Sequence, residues 1–304
     1  MSLQFKSQTP KLDGIYKGLF AASEVIYNEL KKGSGLHIVE SSNESGDSQI
    51  GLDVIADEAF FDALKSDPHV RYVVSEERPG LNKISDGAYS IALDPLDGSK
   101  SALVGIPSGA IFGIFESAEV EQDFHGKNIV SGGFFVFGMN LEVYFADGDK
   151  VYKGLFDQEK KTWAVLPIKG KLPSANVLSI NGANQTVWDE WLQRHYAGLV
   201  DATDGKKPTN IRWFASMVSD IKRLVLQGGM FAYPRANRKG YEQGHLRLVY
   251  EAIPMSFLIH AMGGASSTGS QSLLDVPVAH LHEKTPVFIG EADKIAALHV
   301  ANKG

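Results

Sequence analysis

Leu12, Ile15, Tyr16, Leu19, Ile26, Tyr27 and Leu30 recur at close to the helical period and run into Lys31-Lys32-Gly33, a favourable helix end. The pattern predicts an amphipathic helix with its apolar face docked on a sheet. From Gly33 to Gly51 the chain turns polar and rich in Ser and Gly, which predicts a mobile loop whose Asp47 can close over a site. Helical spacing returns with Leu52, Ile55, Ala59, Phe60, Ala63 and Leu64. Two short apolar runs follow, Val70–Val74 and Tyr89–Leu93, each of strand length. Between Gly109 and Val165 apolar runs alternate with Gly and Asp turns, so this section is predicted to be strand-rich. Helices are predicted again over Thr186–Tyr196, Met217–Gln227 and Pro254–Met262, the last with Pro near its start and Gly263 beyond its end. There are no repeats and no low-complexity linkers, and the expected fold class is α/β in its α+β layered form.

The candidate chemistry lies at the ends of the two short runs. Tyr89–Leu93 delivers Asp94-Pro95-Leu96-Asp97-Gly98-Ser99, and Val70–Val74 delivers Ser75-Glu76-Glu77. Pro95 is expected to stop the strand ladder and force a turn. Gly98 permits close backbone approach, and the amides of Gly98 and Ser99, with the Ser99 hydroxyl, can donate to phosphate oxygens. Carboxylates repel a phosphate ester unless divalent cations stand between them, and hard oxygen donors suit Mg²⁺ or Mn²⁺. Taken singly, each piece has an ordinary reading. Asp-Pro and Asp-Gly punctuate surface turns, Glu76-Glu77 is a solvated pair, and Asp53 caps the second helix. Glu251, beside apolar Val249 and Ala252, is harder to explain away, because a buried carboxylate without a partner is costly.

Composition narrows the field. The 304 residues are 43% hydrophobic, enough for a large core, and no apolar run is long enough to span a bilayer. A net charge of −6 argues against nucleic acid or an anionic membrane as the main partner. With no cysteine, disulfides, thiolate metal ligands and a thiol-based switch are excluded. The N-terminus lacks an apolar signal core and transit-peptide character, so a cytoplasmic location is expected.

Four blocks carry a family resemblance: Gly46-Asp47 with Leu52-Asp53-Val54; Val74-Ser75-Glu76-Glu77; DPLDGS followed by Gly109-Ala110-Ile111-Phe112-Gly113; and Ser216-Met217-Val218 leading to Leu246 through Met255. With Gly263-Gly264, Thr268-Gly269 and Leu274-Asp275-Val276 they span most of the chain. The sequence resembles the class I fructose-1,6-bisphosphatases and the related sedoheptulose-1,7-bisphosphatases of the inositol-monophosphatase-like superfamily. Its Tyr250-Glu251-x-x-Pro254-Met255 block points to the sugar-bisphosphatase branch. The resemblance implies a sandwich of alternating helix and sheet layers in two subdomains, residues 1–170 and 171–304. The boundary is placed at the weak linker signal between Lys169 and Pro173.

It also implies roles, residue by residue. Glu76, Asp94, Asp97 and Glu251 match metal ligands, with the Leu96 carbonyl as a backbone ligand, for two or more Mg²⁺ ions (Mn²⁺ as the substitute). Asp53 and Glu77 match the acidic groups that activate the attacking water, and Asp47 matches the loop carboxylate that assists. Asp97, Gly98, Ser99 and Lys100 fall at the scissile phosphate. Asn181, Trp213, Met217, Tyr233, His245 and Arg247 surround the sugar and distal phosphate, with Arg212 reaching across from a neighbouring subunit in a dimer or tetramer. The implied reaction is metal-assisted, in-line hydrolysis of the 1-phosphate of a sugar bisphosphate without a covalent nucleophile, fructose 1,6-bisphosphate first and sedoheptulose 1,7-bisphosphate second.

The chain departs from the family at the distal end. Asn184 and Trp213 replace two tyrosines, His245 replaces a lysine, Lys100 replaces a serine, and two residues are inserted between Tyr233 and His245. A non-catalytic sugar-phosphate sensor that kept the fold is the alternative of another class, and the presence of both Asp53 and Glu77 speaks against it. An inositol- or nucleotide-phosphate phosphatase is disfavoured by the Tyr250–Met255 block. Ala88 stands where AMP-inhibited relatives carry a lysine, although Tyr89 is retained. AMP titrated at saturating Mg²⁺ is therefore expected to inhibit weakly or not at all, and strong cooperative inhibition would overturn that expectation.

Overall fold

The computed structural model describes residues 2–36, 38–42, 48–168, 170–202 and 207–303. Asp47, and Lys169 of the expected boundary, lie outside them. Among the described residues two main sheets separate three helical layers. The larger sheet has nine strands in the spatial order Ser2–Leu3, Thr162–Pro167, Lys150–Asp157, Leu141–Asp147, Ile129–Phe137, Ser108–Glu116, Tyr89–Asp97, Val70–Ser75 and Asn82–Lys83. The smaller has five, in the order Asn210–Ile211, Val177–Ser179, Met230–Tyr233, Val287–Gly290 and Ala265–Ser267.

Because both faces of each sheet are covered, the central strands are apolar on both sides and read as near-continuous hydrophobic runs. Period-2 alternation then sorts each strand between two cores. Ile91, Phe112, Phe135 and Phe145 join helices α1 (Asp13–Lys32) and α2 (Gly51–Leu64) on the outer face. Ala92, Ile111, Phe134 and Tyr144 face the middle layer, which holds α5 (Met217–Gln227), α6 (Ile253–Ala261) and the turn before α6. The four-residue helix α3 (Ser99–Ala102) follows the DPLDG segment. The smaller sheet gives Phe231, Val287 and Ile289 to the same middle core and Met230, Ala232 and Phe288 to a third, beneath α4 (Glu190–Asp201) and α7 (Ala292–Lys303).

Several expectations are met closely. α1 ends at Lys32, α2 runs to Leu64, α5 spans Met217–Gln227, and five long strands fill the section after Gly109. Others are corrected. Residues expected as loop from Gly33 to Gly51 include an antiparallel hairpin, Ile38–Ser42 with Ser48–Ile50. Pro95 does not end its ladder: Asp94 pairs with Ile111 and Asp97 with Gly109, so two intervening residues oppose one and the strand bulges. The helix expected over Thr186–Tyr196 is two elements. A 3₁₀ turn, Gly182–Val187, is capped by the Asn181 side chain, Trp188 is extended with its ring buried against Tyr196, and α4 begins only at Glu190. α6 starts one residue earlier than expected and is preceded by a wide turn, Leu248–Ala252, in which the Ile253 N–H reaches back five residues to Leu248 O. Pro254 has no N–H with which to continue a regular ladder through that turn.

The middle layer sits close on the larger sheet because glycine leaves room for it. A Cβ at Gly132 would lie 2.7 Å from the Pro254 carbonyl oxygen and 3.0 Å from its Cα, both backbone atoms of α6. Gly132→Ala is accordingly expected to cost about 1–3 kcal/mol, the usual range for overpacking. Gly138→Ala, whose Cβ would meet nothing nearer than Pro107 carbons at 3.4 Å, serves as the near-neutral control. Urea-unfolding midpoints of the two variants check this.

Candidate active site

The strand Val70–Ser75 runs parallel to Tyr89–Asp97, with Ser75 opposite Leu93, and this brings Glu76 and Asp94 to the same end of the sheet. The Glu76 N–H donates to Leu93 O at 3.0 Å. Beyond the bulge, Gly98 adopts φ 76°, ψ 34°, a left-handed conformation that favours glycine, and the chain turns into α3. Glu251 comes from the opposite side, out of the wide turn before α6. Asp94, Asp97 and Glu251 each offer a carboxylate oxygen, and these three oxygens lie within 4.8 Å of one another.

Each carboxylate is anchored by a backbone amide. Leu96 N–H donates to Asp94 at 3.0 Å, Val218 N–H to Asp97 at 3.0 Å, and Arg247 N–H to Glu251 at 2.6 Å. Asp97 sits at the start of α5, where the helix dipole favours negative charge and where Val218, Ser216 and Met217 hold its proton affinity down. Burial outweighs these donors and pushes Asp97 up to about 6. Asp94 is raised well above the carboxylate range by burial and then by the charges of Glu76, Asp97, Glu251 and Glu77. Glu251 is raised by burial, Glu76 and Asp97. The Arg247 side chain, 4% exposed, pairs with Glu76 at 3.2 Å and also donates to His282 O.

Asp53 occupies the first turn of α2 and accepts from the Ile50 N–H at 2.6 Å, so it does cap its helix. It also faces the site. Burial, with Glu77, pushes it up to about 7 against the pull of Ser99 and Lys100.

These groups line one open cleft of about 520 Å³, within the range for small-molecule sites. Glu76, Asp94, Leu96, Asp97 and Glu251 line one part of it, together with Asp53, Glu77, Gly98, Ser99 and Lys100. Asn181, Trp213, Met217, Tyr233, His245 and Arg247 line the same cleft. Arg212 is exposed and does not line the cleft of its own chain; its Nη1 donates to Ile211 O.

Sequence reasoning missed Ser216 and Tyr241, which also line the cleft, and the pair Asp57–Arg78 behind it. Arg78 hydrogen-bonds Asp57 and stacks on Phe61 with its guanidinium carbon 4.2 Å from the ring centroid, tying the Glu76-Glu77 turn to α2. The signal was available: Asp57 stands one helical turn after Asp53, and Arg78 directly follows the glutamates.

A buried set of carboxylates with raised proton affinity is costly unless a cation offsets it. All the donors are hard oxygens, and the cluster fits a divalent ion of the Mg²⁺ or Mn²⁺ kind.

Residues 1–166 match the family description "Fructose-1-6-bisphosphatase, N-terminal domain" and residues 172–303 the corresponding C-terminal domain. A class 1 fructose-1,6-bisphosphatase of Cereibacter sphaeroides is 36% identical over 261 residues, covering 84% of this chain and 78% of the relative. That of Paracoccus denitrificans is 30% identical over 296 residues, 95% of this chain and 89% of the relative. The crystal structure of Leishmania major fructose-1,6-bisphosphatase in holo form superposes with a TM-score of 0.90 at 26% identity, covering 98% of this chain and 96% of that one.

The raised carboxylates predict a pH signature in the metal-free protein. A group whose folded pKa lies above its unfolded value adds stability in acid and loses it as pH rises through the folded value. For Asp97 the window runs from 3.8 to about 6, and for Asp53 from 3.8 to about 7. Unfolding free energy in chelator should therefore fall across that window, and millimolar Mg²⁺ should reverse the fall in the wild type but not in Asp94→Asn. Denaturant titrations at several pH values check it; a metal-free stability rising over the window would contradict it.

Proposed function

The chain belongs to the fructose-1,6-bisphosphatase family, and on that premise we propose that it hydrolyses the 1-phosphate of fructose 1,6-bisphosphate, releasing fructose 6-phosphate and inorganic phosphate. The observation that carries this reading is the convergence of Asp94, Asp97 and Glu251 in a cleft that continues to Asn181, Tyr233 and His245. Sedoheptulose 1,7-bisphosphate is the weaker alternative, since the relatives are named for the fructose ester. A silent sensor has no need of Asp53 and Glu77 beside the acidic cluster.

Glu76, Asp94, Asp97, Glu251 and the Leu96 carbonyl would hold two or more Mg²⁺ ions, or Mn²⁺ in their place. Bound there, such ions supply charge neutralisation to the phosphoryl oxygens and acidity to water. Asp53 and Glu77 take the proton of the attacking water at their carboxylate oxygens, with Asp47 assisting. The Gly98 and Ser99 amides and Lys100 hold the phosphoryl group in line. As the water oxygen bonds to phosphorus, the bond to the sugar O1 breaks, and the leaving oxygen takes up a proton to become the 1-hydroxyl. Met217, Trp213, Tyr233 and Arg247 orient the sugar.

The remaining readings belong to the same proposal. Residues 1–170 carry the metal-site carboxylates and 171–304 the sugar-phosphate subdomain. Arg212, exposed on its own chain, serves a neighbour's site in a dimer or tetramer. No helix among the described residues is long and apolar enough to cross a membrane, and we assign the enzyme to the cytoplasm.

Phosphate release from both sugar bisphosphates, their monophosphates and inositol monophosphate, with Mg²⁺ and with chelator, tests the reading. Metal-dependent release from fructose 1,6-bisphosphate is expected, and its absence from every bisphosphate would refute it. Asp97→Ala should lower kcat/KM by a factor of about 10²–10³ or more, the cost of removing a group that stabilises transition-state charge, with the far-ultraviolet circular dichroism unchanged.

A further inference from the structure

Asn181, Trp213, Tyr233, Tyr241 and His245 line the cleft, and all but His245 also line an adjoining recess that carries no carboxylate, the far end from the acidic cluster. Trp213 has no hydroxyl to offer, and its ring is taken up by Phe231, 6.1 Å away and nearly parallel. Arg247 is engaged with Glu76 at the acidic end. Beside the arginine that a neighbouring subunit brings, the chain between Tyr233 and His245 provides a charge for a second phosphate from within the subunit. Tyr241 stacks on His245 at 4.8 Å and 10°, and His245 stacks on Tyr233 at 5.3 Å and 24°. The Arg238 guanidinium carbon lies 4.2 Å from the Tyr241 ring centroid, and its Nη1 is 3.5 Å from Asn184 Oδ1.

This segment is held in place before any ligand arrives. Tyr241 N–H donates to Arg238 O and Ala236 N–H to Tyr241 O, each at 2.9 Å. Asn237 N–H donates to Val187 O at 2.6 Å, and Arg235 grips Asp189 with two bonds of 2.8 and 3.0 Å. Such preorganisation lowers the ordering cost of binding.

We propose that Arg238 and Tyr241 determine specificity for the second phosphate from within the same subunit, the Tyr241 hydroxyl donating to it and the Arg238 guanidinium supplying charge from its place against the Tyr241 ring and beside Asn184. A planar guanidinium can engage two phosphate oxygens at once, and its stacking on Tyr241 fixes its plane. The inference rests on the bisphosphatase reading and adds residues to it.

The experiment compares kcat/KM for fructose 1,6-bisphosphate with that for fructose 1-phosphate, which keeps the scissile ester and lacks the second phosphate. Arg238→Gln and Tyr241→Phe should each lower the ratio of the two constants about tenfold or more, through KM for the bisphosphate, and Arg238→Lys should restore part of it. Fructose 6-phosphate titrated calorimetrically should bind more weakly to Arg238→Gln by a similar factor. An unchanged ratio and an unchanged fructose 6-phosphate affinity in both variants would overturn the inference. Wild-type protein that releases no phosphate from the bisphosphate would instead remove the underlying reading, a result independent of either substitution.

Discussion

Asp94, Asp97 and Glu251 present oxygens within 4.8 Å of one another in a buried setting, and their mutual repulsion is the constraint that the rest of the molecule must hold against. Each ionised carboxylate taken from water costs several kcal/mol after relaxation, and close like charges add to that. The protein supplies one backbone amide to each, from the DPLDG bulge, the start of α5 and the strand before the wide turn. Those amides fix direction without cancelling the charge. Stability comes from elsewhere: two apolar cores on either face of the nine-stranded sheet and a third beneath the smaller one. A site that is unfavourable alone can persist there because the surrounding packing over-determines it.

Helices with a clear apolar stripe were legible from residue spacing. α1, α2 and α5 were, and so were the runs ending at Glu76 and Asp94, because strand length and apolar composition agreed. What failed has local causes. Trp188 lies inside a helical-looking window, but its ring is buried against Tyr196, and the chain breaks between a 3₁₀ turn and α4 to put it there. α7 was not anticipated, since its buried residues are only Ile295 and Leu298. The short strands of the smaller sheet carry two to four residues each, too few to show a period. For the cleft, residue type and position identified the acidic groups. Ser216 and Tyr241 could not be reached this way, because they join the cleft through elements that meet only in the tertiary structure.

The carboxylates are aimed by irregularities rather than by regular elements. A continuous strand would alternate Asp94, Pro95, Leu96 and Asp97 strictly between two faces, so that Asp94 and Asp97, three apart, would point to opposite sides of the sheet. The bulge adds one residue to that count and turns both toward the same cluster. Glu251 is set in the same way by a turn in which the backbone reaches back five residues instead of four. Both irregularities involve a proline, Pro95 inside the bulge and Pro254 just after the turn, each removing a donor that regular structure would require. Since Asp94 and Asp97 belong to the sheet and Glu251 to the middle helical layer, the three meet only when that layer docks. Gly132, which lets Pro254 come within contact of the sheet, is therefore part of the condition for the site, although it touches none of the carboxylates.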